Sequence, residues 1–163
     1  MGKLITLLFV IISLLGYSQS TFSNESLEKL VVDKINNYRE NNRTHQLTMV
    51  DTISNSSRKH SLNMSSRGYL FHEKNGYWYG ENCGFIELEN GYRTYEEMAS
   101  KIVTNWIKSP IHNDALLRDG DKIGVGSVIT NSGRVYVTYR LYVTDEYFKN
   151  EDVLIFDRKY WLL

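Results

Sequence analysis

Three side chains in this sequence carry the chemistry for a polar functional site: His72, Glu81 and His112. Glu81 follows His72 by nine residues and sits between Gly80 and Asn82. An extended course through that segment brings its carboxylate beside the imidazole. A carboxylate so placed fixes the ring tautomer and raises the basicity of the other nitrogen, preparing it for a metal ion or a polar ligand. The same spacing equally suits a purely structural His–Glu hydrogen bond. Two neutral imidazoles, with or without the carboxylate, can hold a divalent cation such as Zn2+ and leave a position open to water, as catalytic zinc does. If Glu81 orients His72 instead of ligating, His72 and His112 remain as the metal ligands and affinity is modest. They stand forty residues apart with no His-Glu-x-x-His helix, so the sequence holds no strong metal signature.

Covalent hydrolysis is less well provided for. Ser109 lies three residues before His112, but it stands where a helix cap is needed, and no Gly-x-Ser-x-Gly elbow occurs. Acid–base glycoside cleavage needs two carboxylates across the bond, and Glu81 alone can be placed. His45 reads as solvated in a polar loop and His60 as packed within a helix. Asn82 reads as a brace for its turn, and Trp106 as core. Cys83 reads as a buried thiol; as the single cysteine it excludes an internal disulfide. No residue is assigned as catalytic. His72, Glu81 and His112 are the candidates, with Asn82 and Ser109 beside them as cleft residues.

These side chains need elements to position them. Leu27, Leu30, Val31, Ile35 and Tyr38 recur at three- and four-residue intervals and predict a helix over Glu25 to Asn41, capped by Ser23 or Asn24. Asp51 to Arg67 reads as a second helix, with Asp51 as cap and Gly68 as stop. Its inward residues, Ile53, Ser57, His60 or Ser61, and Met64, are mostly small and so predict a close approach to another element. The Gly-rich stretch from 69 to 93 reads as loop, with a short strand near Tyr79 to Glu87. Thr94-Tyr95-Glu96-Glu97 is a capping box for a helix to about Lys108, and Ser109-Pro110 opens another. Ile123 to Thr130 and Arg134 to Val143 flank Asn131-Ser132-Gly133 as a β-hairpin. Asp152 to Phe156 adds a candidate strand. Helices first and an antiparallel sheet last imply an α+β layered domain.

Lys3 followed by the apolar run Leu4 to Leu15 reads as an export signal ending at residue 20, too short for a spanning helix. The remaining 143 residues, with 18 basic and 19 acidic side chains, suit a single domain over 21–163. Near-zero net charge gives no electrostatic footprint for nucleic acid. With no disulfide, packing must hold the fold, and twelve Tyr and three Trp supply much area for it. The expected location is extracellular or periplasmic, with no stable membrane span after signal removal.

Several of these pieces also occur in a telling order. Asn37-x-Arg39 late in the first helix is followed by His72, by Gly80-Glu81-Asn82 and by the run Trp106-Ile107-Lys108-Ser109-Pro110-Ile111-His112. Ile123-Gly124-Val125-Gly126 then opens a strand. Over residues 25–143 the chain resembles the CAP superfamily, also called the SCP or cysteine-rich secretory protein family, and its bacterial branch in particular. The resemblance implies an α-β-α sandwich with a central antiparallel sheet. It also implies a large surface cleft in which two His and two acidic residues bind a divalent metal such as zinc. His72, Glu81 and His112 match three of the four positions. The fourth is Glu in many eukaryotic members and is Ser109 here, as is common in bacterial ones, which weakens any mechanism needing two carboxylates. The expected function is a secreted cleft that binds a divalent metal, a small ligand or a partner without catalysis. The alternative is a metal-assisted or His/Glu-based extracellular hydrolase.

Overall fold

The computed structural model describes residues 24–74, 78–92 and 94–146. In chain order the elements are α1 (Glu25–Asn41), β1 (Thr48–Met49), α2 (Asp51–Arg67), β2 (Gly80–Glu87), a 3-10 turn (Leu88–Asn90), α3 (Tyr95–Lys108), α4 (Pro110–Leu117), β3 (Lys122–Ile129) and β4 (Arg134–Tyr142). The expected export signal and the candidate strand at 152–156 lie outside the described residues. Among the described residues no helix is long and apolar enough to cross a membrane.

The strands form one sheet in the order β1-β3-β4-β2. The β3–β4 hairpin and the β2–β4 pair are antiparallel, and β1 joins the edge of β3 in parallel through two residues. That strand makes the sheet mixed; two residues are too few to show any alternation in the sequence. Side chains along a strand point alternately to opposite faces. On one face Val135, Val137, Tyr139 and Leu141 of β4 join Ile123 and Val125 of β3 and the apolar stripes of α1 and α3 in the main core. On the other face Tyr136, Thr138 and Arg140 lie against α2. The result is an α-β-α arrangement of three layers.

Local sequence explains the helix ends that matter for the site. Thr94 accepts the Glu97 N–H at 3.1 Å while the Glu97 carboxylate takes the Thr94 N–H at 3.1 Å, so the capping box launches α3 as the sequence predicts. The stripe Met98, Ala99, Ile102, Val103 and Trp106 is buried throughout. Asp51 proves to be the first helical residue of α2, with Val50 as cap, and its carboxylate suits the positive end of the helix dipole there. Asn24 occupies the cap position of α1 without a side-chain capping bond.

Helix α2 rides very close to the sheet. A Cβ placed on Gly124 would fall 2.4 Å from the Ile53 carbonyl carbon, and one on Gly126 would fall 1.9 Å from the Arg58 nitrogen. Ser57 and Ser61 complete the contact by donating to the Gly124 and Gly126 carbonyls at 3.3 and 2.8 Å. The small inward face of α2 and the alternating glycines of β3 are two halves of one joint.

Charge is buried in α1 where periodicity anticipates apolar contact alone. Glu28, with no exposed surface, receives Arg58 Nε at 2.8 Å, Arg58 Nη2 at 2.6 Å and the Ser127 N–H at 2.8 Å. Arg39 donates to the carbonyls of His45, Leu116 and Arg118 at 2.6, 2.7 and 2.8 Å, tying α1 to the end of α4. Such groups are tolerated inside because their hydrogen-bonding capacity is met.

The joint between α2 and β3 is open to a direct check. Gly126→Ala should cost about 3 kcal/mol by overpacking, read as a lower urea midpoint at unchanged slope. Gly80→Ala, whose Cβ would meet Leu141 at an ordinary 3.4 Å, should stay close to wild type.

Candidate functional site

The site is built around the first residues of β2, an edge strand of the sheet. Glu81 and Asn82 are adjacent, so their side chains leave the strand on opposite faces. Glu81 turns to the α2 face and Asn82 to the α3–α4 face. Gly84, two residues on from Asn82, leaves room for the Trp106 indole, whose Nε1 donates to the Cys83 carbonyl at 3.4 Å and seats the end of α3 on the strand.

On the α2 face the loop after α2 delivers His72 to Glu81. His72 Nδ1 donates to Glu81 Oε1 at 2.9 Å, and the Glu73 N–H donates to the same oxygen at 3.1 Å. Since an ionised carboxylate can only accept, the proton of a neutral His72 must lie on Nδ1, which leaves the Nε2 lone pair available. Glu81 Oε2 accepts from Arg140 Nε at 2.9 Å. The Glu81 side chain is 9% exposed, against 62% for that of His72, so a covered carboxylate supports an imidazole that meets solvent.

On the opposite face α4 delivers His112. Asn82 Nδ2 donates to the His112 carbonyl at 2.9 Å, and the Tyr139 hydroxyl donates to the Ala115 carbonyl at 3.0 Å. Asn82 therefore braces the start of a neighbouring helix, not a turn of its own. His112 Nδ1 lies 2.9 Å from Ser109 Oγ. Ser109 is the cap by position, yet its hydroxyl makes no capping bond and serves the imidazole instead. Its proximity to His112 in sequence, three residues along a helix start, is what permits this contact.

The electrostatics separate the two rings. The hydrogen bond to Glu81 holds His72 above the ordinary imidazole value, against the pull of partial burial. Burial pushes the Glu81 carboxyl up, but the bonds from His72 and the Glu73 N–H, together with Arg140, outweigh it and leave it below the usual carboxylate range. His112 is lowered by burial and then by the charge of His72. The charge of His72 is thus felt at His112, although their hydrogen-bond partners belong to different elements.

Two residues join the site that their sequence positions did not suggest. His60, read as a packed ring, is buried with Nε2 2.8 Å from the Phe71 carbonyl and 3.9 Å from Glu81 Oε1. Arg140 is completely buried and sits directly across from Glu81 in the β2–β4 register. Its signal in the sequence is an arginine in the interior of a mostly apolar and aromatic strand.

His60, Glu81 and Cys83 bring three donor atoms within 4.8 Å of one another. Their chemistry does not suit a cation. A carbonyl acceptor at His60 Nε2 demands a proton there, which removes the lone pair. Burial beside the Glu81 carboxylate pushes the Cys83 thiol far up, away from the thiolate a metal requires. The Arg140 guanidinium already occupies the carboxylate. In His72 and His112, Nδ1 instead lies 2.9 Å from an oxygen partner, Glu81 Oε1 and Ser109 Oγ respectively.

The model of the Cysteine-rich secretory protein family matches residues 32–144. Among solved structures, an outer surface protein of Borrelia burgdorferi is similar at a TM-score of 0.55 and 18% identity, over 71% of this chain and 92% of that one. An extracellular Bacillus anthracis protein containing an SCP domain gives 0.51 at 14% identity, over 73% of this chain and 41% of that one. At these identities the likeness is one of fold. No curated protein matches the sequence. The family match over most of the chain, the three layers and the ordered motifs agree, and this chain belongs to the cysteine-rich secretory protein, or CAP, family.

Proposed function

We propose that this is an exported CAP-domain protein whose cleft, formed by His72, Glu81, Asn82, Ser109 and His112, binds a divalent cation such as Zn2+. The bound cation would present an open position to an extracellular small ligand or partner protein. Export is supported by the Lys3 and Leu4 to Leu15 signal pattern and by structural relatives described as outer-surface or extracellular. The observation that carries the metal reading is the matched pair of Nδ1 contacts, Glu81 on His72 and Ser109 on His112, at 2.9 Å each. His72 and His112 would be the ligands, with Glu81 and Ser109 orienting them. The cation would supply Lewis acidity and a coordination site for an oxygen or nitrogen donor.

Zinc titration by calorimetry tests this. Wild type should give saturable heat at one ion per chain. His72→Ala and His112→Ala should each lose at least about a hundredfold in affinity, and Glu81→Gln about tenfold or more. Equal heats in wild type and both histidine variants would remove the metal.

One observation favours the alternative, a His/Glu-based hydrolase. The rings are driven apart in basicity, His72 upward by its bond to Glu81 and His112 downward by burial, a division that suits an acid and a base. Turnover of peptide, ester or peptidoglycan fragments that is lost in both His72→Ala and His112→Ala would support it. Turnover that survives both would clear these residues of catalysis.

The metal-free protein has its own pH signature. The raised His72 contributes stability that is complete below the ordinary imidazole value and fades as pH rises through its higher folded value. The lowered Glu81 contributes stability that is present above the ordinary carboxylate value and is lost as pH falls through its folded value. The stability difference between wild type and Glu81→Gln should therefore peak between those limits. It should shrink both in acid and in mild alkali; a difference that is flat with pH in urea titrations would contradict the ion pair.

A further inference from the structure

Arg140 is the point at which α2, the His72 loop and β2 converge. Its guanidinium donates Nε to Glu81 Oε2 at 2.9 Å, Nη1 to Ser56 Oγ at 2.6 Å and Nη2 to Glu73 Oε2 at 2.6 Å. The Trp78 ring covers it at 4.5 Å, and the Trp78 Nε1–H reaches Glu73 Oε2 at 3.3 Å. Glu73 and Trp78 both belong to the segment that joins α2 to β2. On the neighbouring strand, the residue opposite Arg140 is Gly124, which has no side chain to compete for that space.

This geometry is more specific than charge balance requires. A planar fork with fixed donor directions determines which carboxylate oxygen it engages. By taking Oε2 of Glu81, Arg140 leaves Oε1 for His72 Nδ1 and the Glu73 N–H. We propose that Arg140 is the positioning residue of this site, locking the Glu81 rotamer so that its second oxygen sets the tautomer of His72. The inference deepens the cleft reading above, and its first readout needs no metal.

The test is the nitrogen chemical shifts of the His72 ring in proton–nitrogen correlation spectra of metal-free protein at mildly alkaline pH. Wild type should show the proton on Nδ1 and the lone pair on Nε2. Arg140→Lys keeps the charge but not the fork, and should shift His72 to a mixture of tautomers and weaken zinc binding at least tenfold. Ser56→Ala removes one bond to the fork without changing any charge, and should move the same signals less in the same direction; it serves alone if Arg140→Lys does not fold. Val137→Ala, a core truncation on the same strand, should lower the melting temperature and leave the His72 signals in place. Unchanged His72 signals in a folded Arg140→Lys, or in Ser56→Ala, overturn the proposal. A shift in Val137→Ala equal to that in the fork variants overturns it too, by assigning the effect to general destabilisation. An intact tautomer effect with no zinc heat in wild type would uphold the role of Arg140 and refute the metal alone.

Discussion

Much of this molecule depends on the backbone-to-backbone seating of α2 on the sheet. Gly124 and Gly126 have no side chain where the Ile53–Arg58 turn presses down, and Ser57 and Ser61 bond to the glycine carbonyls. The consequence reaches well past that contact. With the helix so low, Ser56 reaches the Arg140 guanidinium, Ser61 reaches Thr138, and His60 reaches the segment that carries His72. A thicker side-chain layer would lift α2 and detach all three. Close packing at this density transmits any displacement to its neighbours.

The same layer accounts for how a domain without disulfides holds buried charge. Glu28 is held by Arg58 and Ser127 from α2 and β3, while Arg39 is held by carbonyls of the loop after α1 and of the end of α4. Arg140 sits between two carboxylates and a hydroxyl. Each is a charged group whose hydrogen bonds are met by two or more separate elements. Such groups are costly to strand, and so they favour one arrangement of the elements over near alternatives.

The edge strand β2 divides the site between the two faces of the sheet. Glu81 equips the α2 face with a shielded, ionised carboxylate, and Asn82 equips the α4 face with an anchor for the helix bearing His112. Consecutive residues on a strand must diverge, so a Gly-Glu-Asn segment at a sheet edge can serve two helical layers at once. Gly80 and Gly84 flank this pair where Ala115 and the Trp106 indole come close. The polar chemistry thus occupies a rim of the sandwich, while the apolar core fills its middle.

The sequence by itself determined the elements and most of their limits. Helical periodicity, the Thr94–Glu97 box, Pro110 and the Gly-bearing hairpin turn are local signals, set by spacing along one segment. The same holds for the small face of α2, which announced a close neighbour, and for the nearness of Glu81 to His72, nine residues apart. The tertiary structure decided what those signals met. That Asn82 would hold a distant carbonyl depended on how α4 lies against β2. The two-residue β1 shows itself only by pairing with β3. Arg140 and His60 belong to the site through contacts with residues that are far apart in the chain or on other elements. No periodicity within one segment encodes a partner across a sheet, because side-chain reach is set by the packing of layers.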